Sequence, residues 1–482
     1  MRREHQALNT KNFYINGEWV APTTPHDFPV IDPSTEEQCG TISLGSAADA
    51  DSAVAAAKAA FPAWAETPLS ERIALFEKFE ALFNARKDDI VKAMTLEMGA
   101  PRDYSRDVQF AAGADHIRAT IEAANKFTFE ERRDDCLITH EPIGVVAMIT
   151  PWNWPMNQVI LKIAPALVVG ATLVLKPSEI APLSSLIVAE LIHEAGFPKG
   201  VFNLVNGDGA GVGSHLSQHK DVDMVSFTGS TRAGIAISKA ASDTIKRVSL
   251  ELGGKGANII FADADDDAIS RGVAGCFDNA GQSCDAPTRM LVERSIYDAA
   301  LEKAETAAKA QKVASGHDAG DHIGPVVSDI HWNKIQGLIQ AGIDDNGRLL
   351  TGGTGRPDGL EKGYFVKPTV FADITPDMTI ANEEIFGPVL AIMPFDTEEE
   401  AIQIANDTPY GLGNYIQTQD PERALRVATR LRSGTVNLNG GYGSVNTPFG
   451  GYKQSGNGRE GSDWGLMEYL EVKSINGLKA SL

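Results

Sequence analysis

At 482 residues the chain is long enough for two or three domains, and its 43% apolar and 22% charged residues are typical of a soluble globular protein. The net formal charge of −21 argues against nucleic acid or an anionic membrane as a partner, because both require a positive surface. No apolar run approaches the roughly 20 residues that span a bilayer, and residues 1–6 lead into no apolar segment of a secretory signal.

The N-terminal part is predicted to contain a hairpin and several scaffold helices. Apolar and aromatic residues flank an Asn-Gly pair within residues 13–20, which predicts a β-hairpin. Alanine-rich sequence, or apolar residues at three- and four-residue steps, predicts helix over residues 47–65, 70–96 and 107–124. The polar, charged residues 127–140 indicate either a solvated hairpin or a linker.

Residues 143–252 alternate short apolar runs with helix-length segments. This alternation indicates β-α-β units and a parallel, doubly wound sheet, which binds ligands at the carboxyl ends of its strands. The predicted strands are residues 144–149, 172–175, 201–205, 224–227 and 248–250, and the predicted helices contain residues 159–169, 183–195, 212–219 and 235–246.

A second alternation follows residue 255 and predicts a second α/β domain. The tail, residues 468–478, is predicted to be a strand that could pair with the polar stretch at 127–140. The predicted elements of the second domain are strands at 259–261, 290–292 and 389–393 and helices at 265–279, 297–313 and 398–405.

The cysteines indicate a reducing environment and a nucleophile. None of Cys39, Cys136, Cys276 and Cys284 forms a Cys-x-x-Cys pair or a zinc-ligand spacing, so we expect no metal site and a cytoplasmic location. Cys276 lies in an apolar segment typical of a core cysteine, whereas Cys284 follows Gly-Gln-Ser at the predicted end of a helix, where it would be exposed. Cys284 is therefore the predicted nucleophile.

A carboxylate complements this thiol. Glu251 begins the run Glu-Leu-Gly-Gly-Lys, and we expect it, like Cys284, to lie in a glycine-rich turn. Thioester chemistry requires such a pair: the thiolate attacks a carbonyl carbon, and the carboxylate then activates the water that releases the product. Each motif alone is common, but the two together after a nucleotide-binding pattern are hard to explain as scaffold.

Residues at predicted strand ends are candidate cofactor ligands. Lys176 and Glu179 follow the second strand, with Ser178 between them, and they form either a surface ion pair or a site for adenosine ribose hydroxyls. Glu179 would repel a 2′-phosphate and so favours NAD over NADP. The glycine-rich run containing Gly209 fails the Gly-x-Gly-x-x-Gly fingerprint, which leaves a turn with at most a minor cofactor role.

Residues at two further strand ends also have either a structural or a functional role. Phe227, Thr228, Gly229 and Ser230 join a strand to a helix, whose N-terminus either binds a pyrophosphate or only has a serine cap. At the end of the first strand, Asn153 in Pro-Trp-Asn-Trp-Pro is either a structural turn residue or the donor that stabilises an oxyanion together with the Cys284 backbone N–H.

These motifs, in this order, resemble the aldehyde dehydrogenase superfamily over nearly the whole chain. The resemblance implies an α/β fold with a doubly wound, Rossmann-type NAD-binding domain (1–122 and 143–252) and an α/β catalytic domain (253–447). It also implies a small β oligomerisation arm and C-terminal tail (123–142 and 448–482) in a homodimer or homotetramer.

The resemblance also assigns roles to residues. It favours the catalytic reading of Asn153, places Glu384 and Phe386 at the nicotinamide ribose, and makes Lys162 and Glu460, which alone would pass for surface charges, a proton relay. The remaining cofactor residues that it implies are Thr150, Pro151, Trp152, Lys176, Ser178, Glu179, Gly209, Phe227, Thr228, Gly229, Ser230, Leu252 and Gly253.

The predicted reaction is NAD-dependent, non-acylating oxidation of an aldehyde to its carboxylic acid. One alternative is a semialdehyde dehydrogenase with an anionic substrate, which an additional pocket arginine would mark. Another is a catalytically retired relative, which would have lost Cys284 or Glu251. The resemblance implies apolar pocket walls at Leu161, Trp154 and Phe449.

Asp285 departs from the family pattern, because a carboxylate beside a thiolate raises the thiol pKa. It either faces away or helps to choose the substrate.

Overall fold

The computed structural model of the protein describes residues 9–478, and the N-terminal residues considered above for a secretory signal lie outside this range. In chain order the strands are β1 (Phe13–Ile15), β2 (Glu18–Val20), β3 (Asp27–Asp32), β4 (Glu37–Ser43), β5 (Glu130–Arg133), β6 (Cys136–Pro142), β7 (Val145–Ile149), β8 (Thr172–Lys176), β9 (Phe202–Leu204), β10 (Met224–Thr228), β11 (Arg247–Glu251), β12 (Ala257–Ile260), β13 (Arg289–Glu293), β14 (Arg348–Thr351), β15 (Thr369–Ala372), β16 (Val389–Phe395), β17 (Gly413–Gln417), β18 (Thr435–Leu438), β19 (Gly456–Asn457) and β20 (Leu470–Asn476).

The helices are α1 (Ala47–Glu66), α2 (Leu69–Ala85), α3 (Lys87–Met98), α4 (Arg102–Tyr104), α5 (Phe110–Lys126), α6 (Pro155–Val169), α7 (Leu183–Ala195), α8 (Ser214–Gln218), α9 (Thr231–Ala241), α10 (Ala268–Phe277), α11 (Tyr297–Lys309), α12 (Asp329–Asp344), α13 (Thr379–Asn382), α14 (Glu398–Asn406), α15 (Pro421–Ala428) and α16 (Ser462–Glu468). Within residues 9–478, none of them combines the length and apolarity that crossing a membrane requires.

The first large sheet is doubly wound, as predicted. Its strand order is β19-β11-β10-β7-β8-β9-β1-β2, and β11, β10, β7, β8 and β9 run parallel. Strands β7, β8 and β10 are buried along their whole length because helices cover both faces, which explains their continuous apolar runs. The chain order reverses between β7 and β10, and such a switch point opens a crevice at the carboxyl ends of the strands.

The second large sheet has the order β14-β15-β16-β13-β12-β17-β18, parallel except for β14. A smaller antiparallel sheet has the order β20-β6-β5, so the predicted pairing of the tail with the polar hairpin is confirmed. In contrast, β19, which sequence analysis grouped with the arm and tail, pairs with β11 at the edge of the first sheet.

Several helix boundaries differ from those predicted, each for a local reason. Residues 70–96 form two helices, since Arg86 leaves the helical conformation at φ −101° and ψ 18°. A π-turn at Ser105–Gln109 precedes α5. Helix α10 ends at Phe277, because Asn279 and Ala280 take left-handed φ angles of 51° and 58°. Helix α12 was not predicted, because its apolar stripe is narrow within a polar sequence.

Candidate active site

Many of the predicted site residues lie at or beside the switch point of the first sheet. β7 leads into Thr150, β10 ends at Thr228, and β11 ends at Glu251. A cavity of about 190 Å³, called here the cofactor cavity, lies beside these strand ends. Its lining consists of Pro151, Trp152, Asn153, Thr228, Gly229, Ser230, Glu251, Leu252, Gly253, Cys284, His331, Lys334, Glu384 and Phe386.

A second cavity of about 330 Å³, called here the substrate cavity, also reaches Cys284. It contains the three predicted wall residues and Asp285, so Asp285 does not face away. Its lining is more polar than expected and consists of Ala112, His116, Trp154, Asn157, Gln158, Leu161, Cys284, Asp285, Thr435, Asn437, Tyr442, Gly443, Ser444, Val445, Thr447, Pro448, Phe449 and Gly461. Cys284 is the one residue that both linings share.

A left-handed turn, rather than a helix end, places Cys284 here. After α10, positive φ angles at Asn279, Ala280 and Gly281 reverse the chain direction. Gly281 packs so closely on the Gly387 carbonyl that a Cβ would lie 2.2 Å from it, so only glycine fits. The expectation that Cys284 ends the helix is therefore wrong, although the cysteine is partly exposed as predicted.

Cys276 has the opposite environment. Its thiol is fully buried and donates to the Val389 carbonyl at 3.6 Å, and burial raises its pKa to about 12. It lines neither cavity. Burial also raises the pKa of Cys284 well above its usual range, and the nearby carboxyl groups of Asp285, Glu384 and Glu251 raise it further.

Glu251 is the last residue of β11, not part of a turn as expected. Its carboxyl group is buried, and neither oxygen has a hydrogen-bond partner among the described residues. Burial raises the pKa of Glu251 well above its usual range, and the negative charge of Glu460 adds to this effect. Lys162 and Arg459 partly oppose it.

Lys162 and Glu460 form a buried ion pair, so the interpretation of each as a surface charge is wrong. Their side chains are 1% and 5% exposed, and Lys162 Nζ lies 2.5 Å from Glu460 Oε1. Lys162 belongs to α6, whose other residues are almost all buried. Glu460 follows β19, which pairs with β11 at Glu251, and this pairing brings the ion pair close to Glu251.

Asn153 is held by a network that sequence analysis missed. Its Nδ2 donates to the Gln282 carbonyl at 2.9 Å and so ties the end of β7 to the cysteine loop. Its own carbonyl accepts from Asn279 Nδ2 at 3.0 Å and from Gln109 Nε2 at 3.4 Å. Gln109 reaches this point from the π-turn, which has no recognisable sequence signal.

At the end of β8, Lys176 is buried and donates from Nζ to the carbonyls of Gly207 at 2.5 Å and Pro177 at 3.0 Å. Its ammonium also lies 3.2 Å from Glu179 Oε2, so the pair is present but is not a surface pair. The Glu179 side chain remains 25% exposed. Ser178 is buried beside them, and Gly209 is exposed at the start of a π-turn.

The loop after β10 contains the predicted serine cap and lines the cofactor cavity. Ser230 caps α9, and its Oγ accepts from the Ala233 N–H at 3.3 Å. The ring of Phe227 packs on Gly229 closely enough to exclude a Cβ. The buried hydroxyls of Thr150 and Thr228 have no partner among the described residues. Unsatisfied buried hydroxyls at a strand-end crevice fit a polar cofactor.

Helix α12 completes the opposite wall of the cofactor cavity. Glu384 accepts from the Gly254 N–H at 2.9 Å, and a Cβ on Gly253 would collide with its carboxylate. Phe386 has a left-handed φ of 60°, and its carbonyl accepts from His331 Nε2 at 2.7 Å. His331 and Lys334 were not predicted, because the helix that carries them, α12, was not predicted.

One cluster outside both cavities resembles a metal site. The side chains of Asp51, His215 and His219 approach one another within 4.8 Å. However, the Asp221 N–H donates to His219 Nδ1 at 3.1 Å, which leaves the proton of the neutral ring on the Nε2 that faces Asp51. That tautomer offers no lone pair to an ion, so the cluster is better described as a hydrogen-bonded contact between α1 and α8.

Comparison with known proteins decides the family. A family model described as "Aldehyde dehydrogenase family" matches residues 19–475. The chain belongs to the aldehyde dehydrogenase family. A relative from a Pseudomonas species, 3-succinoylsemialdehyde-pyridine dehydrogenase, is 49% identical over 98% of this chain and 99% of its own length.

Solved structures of other family members superpose closely. The aldehyde dehydrogenase of Bartonella henselae is 57% identical with a TM-score of 0.97, and the match covers 98% of this chain and 100% of that one. A variant of aldehyde dehydrogenase C from Pseudomonas syringae, in complex with NAD+ and octanal, is 45% identical with a TM-score of 0.97 and coverage of 99% and 98%. The predicted family, α/β fold class and enzyme class are confirmed.

Proposed function

We propose that this aldehyde dehydrogenase family member oxidises an aldehyde to its carboxylic acid with NAD as the oxidant. One observation carries the proposal: Cys284 lies on the wall shared by the cofactor and substrate cavities, with Glu251 lining the same cofactor cavity. A nucleophile between two cavities can hold an aldehyde carbon within reach of a hydride acceptor. Related structures in complex with NAD+ support the choice of cofactor.

NAD+, when bound, accepts the hydride released from the aldehyde carbon. The residues proposed to hold it are Thr150, Pro151, Trp152, Lys176, Ser178, Glu179, Gly209, Phe227, Thr228, Gly229, Ser230, Leu252, Gly253, Glu384 and Phe386. The partly exposed carboxylate of Glu179 would accept from a ribose hydroxyl and repel a 2′-phosphate, so NADP is the less favoured cofactor.

In the proposed mechanism the Cys284 thiolate adds to the aldehyde carbon, and the carbonyl electron pair moves to oxygen. The second N–H of Asn153 Nδ2, the first being donated to Gln282, stabilises this oxyanion together with the Cys284 backbone N–H. Departure of the hydride restores the C=O bond and leaves a thioester. Water that has lost a proton to Glu251 then adds to the thioester, and the Cys284 thiolate leaves.

We further propose that the Lys162–Glu460 pair carries the proton away from Glu251. The buried ion pair is electrostatically linked to Glu251, and its two side chains are only 1% and 5% exposed. An ion pair buried on both sides needs a reason beyond stability, since such pairs contribute little net folding energy.

The alternatives are less well supported. Among the described residues, no arginine or lysine lines the substrate cavity, so the expected mark of an anionic semialdehyde substrate is missing. A retired relative would lack the nucleophile or the base, and both are in place.

The exposed edge strand β20 supports assembly as a homodimer or homotetramer. The free cysteines support a cytoplasmic location. We also propose the domain boundaries given in the sequence analysis, except that β19 belongs with the first sheet.

The test follows NADH absorbance with a panel of aliphatic, aromatic, amino- and carboxy-aldehydes, each with NAD and NADP. We expect turnover with NAD that disappears in Cys284→Ala and persists in Cys276→Ala, the control cysteine. Turnover that survives in Cys284→Ala would refute the thioester mechanism.

A further inference from the structure

We propose that Asp285 makes the substrate cavity selective for aldehydes that carry a positively charged group, a specificity that rests on the proposed oxidation at Cys284. Asp285 lines the cavity directly beside the nucleophile, and the negative charge of its carboxylate raises the pKa of two other lining residues, Cys284 and Tyr442. No positively charged side chain among residues 9–478 lines the same cavity. The cavity therefore presents a net negative charge to the part of the substrate that extends from the aldehyde.

The other titratable groups of the lining do not change this balance. Burial lowers the pKa of His116 to about 4, so its ring is neutral at neutral pH. The raised pKa of Cys284 keeps its thiol neutral before the cofactor binds. The phenol of Tyr442 is also neutral, since burial raises its pKa.

No neighbouring cation compensates Asp285 within the described chain. Its carboxylate accepts from its own backbone N–H, burial raises its pKa, and the negative charge of Asp278 raises it further. The Tyr415 hydroxyl donates to the Asp285 main-chain carbonyl at 3.0 Å and holds the backbone, not the charge. A partly buried, uncompensated carboxylate is stabilised by any cation that enters the cavity.

Aromatic rings give a second reason for the same preference. Trp154, Tyr442 and Phe449 line the cavity with Asp285. The faces of such rings attract ammonium groups, most strongly where water is excluded. A carboxylate on the substrate would meet both the negative ring faces and Asp285. A neutral substrate of the same shape would have little electrostatic attraction to, or repulsion from, these groups.

The experiment compares three aldehydes of similar length: one ending in trimethylammonium, its uncharged tert-butyl isostere, and one ending in carboxylate. Each is assayed with NAD at several pH values on the alkaline side of neutrality, because burial raises the pKa of Asp285 and its ionised fraction increases with pH. We expect kcat/KM for the cation to exceed that for the isostere by about tenfold or more, and the carboxylate to be the poorest substrate. In Asp285→Asn the three values should converge, because shape is kept and charge is removed.

Asp278→Asn is the matched control, since this carboxylate accepts a hydrogen bond from the Tyr104 hydroxyl at 2.6 Å and does not line the cavity. The substrate selectivity of this variant should change less than that of Asp285→Asn. Asp285→Ser replaces Asp285→Asn if the latter does not fold. A cation preference that is absent from the parent enzyme, or unchanged in the Asp285 variant, overturns the inference even when the neutral aldehyde is oxidised normally. Failure to oxidise any aldehyde would instead contradict the proposed function.

Discussion

At the residue scale, the surroundings of the Cys284 thiol and of the Glu251 carboxyl group both favour the protonated form. Burial and neighbouring carboxyl groups raise the pKa of Cys284, and burial and Glu460 raise that of Glu251. The proposed reaction begins with the Cys284 thiolate and later uses the Glu251 carboxylate, so the fraction of Cys284 that is competent to start it increases as pH rises. We expect kcat/KM to increase with pH on the alkaline side of neutrality.

Replacing Asp285 should move this dependence in a defined direction. Asp285 is the charged neighbour that raises the Cys284 pKa most, so Asp285→Asn should lower that pKa and shift thiolate formation to lower pH. The measurement is the pH profile of Cys284 alkylation by iodoacetamide without cofactor, followed by mass spectrometry of the peptide. Cys39 and Cys136 in the same sample serve as internal controls. An unshifted profile would show that the Asp285 charge does not reach the thiol.

Glu251 is expected to matter only after the hydride has been released. Glu251→Gln keeps the shape of the side chain but cannot accept a proton, so thioester hydrolysis should slow by about 100-fold or more. Rapid mixing should still show a burst of up to one NADH per active site before the slow steady state. In Cys284→Ala, both the burst and the steady-state turnover should be absent. Loss of the burst in Glu251→Gln would mean that the carboxyl group also ionises the thiol.

At the element scale, a buried carboxylate organises the start of α7. Glu97 accepts from the Ser184 N–H at 3.1 Å, from the Ser184 hydroxyl at 2.5 Å and from the Leu183 N–H. These are N–H groups that the first turn of a helix cannot satisfy itself. Glu97→Ala leaves them buried without a partner and should lower the free energy of unfolding by about 1–3 kcal/mol.

Denaturant titration would measure this loss, and Ser184→Ala, which removes only the hydroxyl bond, should have a smaller effect. The pH dependence has a defined sign. Burial raises the folded-state pKa of Glu97 from 4.5 to about 7, so its contribution is complete below 4.5 and is lost as pH rises through about 7. The difference between parent and variant should therefore shrink over this range. A constant difference would show that the carboxyl group does not titrate there.

The elements also show which features a sequence can predict. Buried parallel strands are continuous apolar runs, so β7, β8 and β10 were predicted correctly. The turn at Asn279 and Ala280 was not predicted, because the left-handed backbone at an alanine follows from packing rather than from local preference. The π-turn that carries Gln109 and the burial of Lys162 with Glu460 likewise depend on residues distant in sequence.

At the scale of the whole molecule, the active site draws on separate parts of the chain. Glu251 ends a strand of the first sheet, Cys284 and Glu384 precede strands β13 and β16 of the second sheet, and Glu460 comes from near the C-terminus. The carboxyl edge of one sheet thus faces the amino edge of the other. The site therefore forms only when both sheets have folded and packed.

The third sheet contributes nothing to either cavity, and its surface predicts another role. β20 is an edge strand whose residues from Glu471 to Asn476 are exposed on both faces, with Val472 66% and Ile475 39% exposed. An exposed apolar edge strand is a site for pairing with another chain. If the proposed homo-oligomer forms through this strand, Val472→Lys combined with Ile475→Lys should lower the molecular mass seen by sedimentation velocity. A control that replaces Ile245, which is 92% exposed elsewhere, by lysine should leave the mass unchanged. If the double variant sediments like the parent, subunits associate through a different surface.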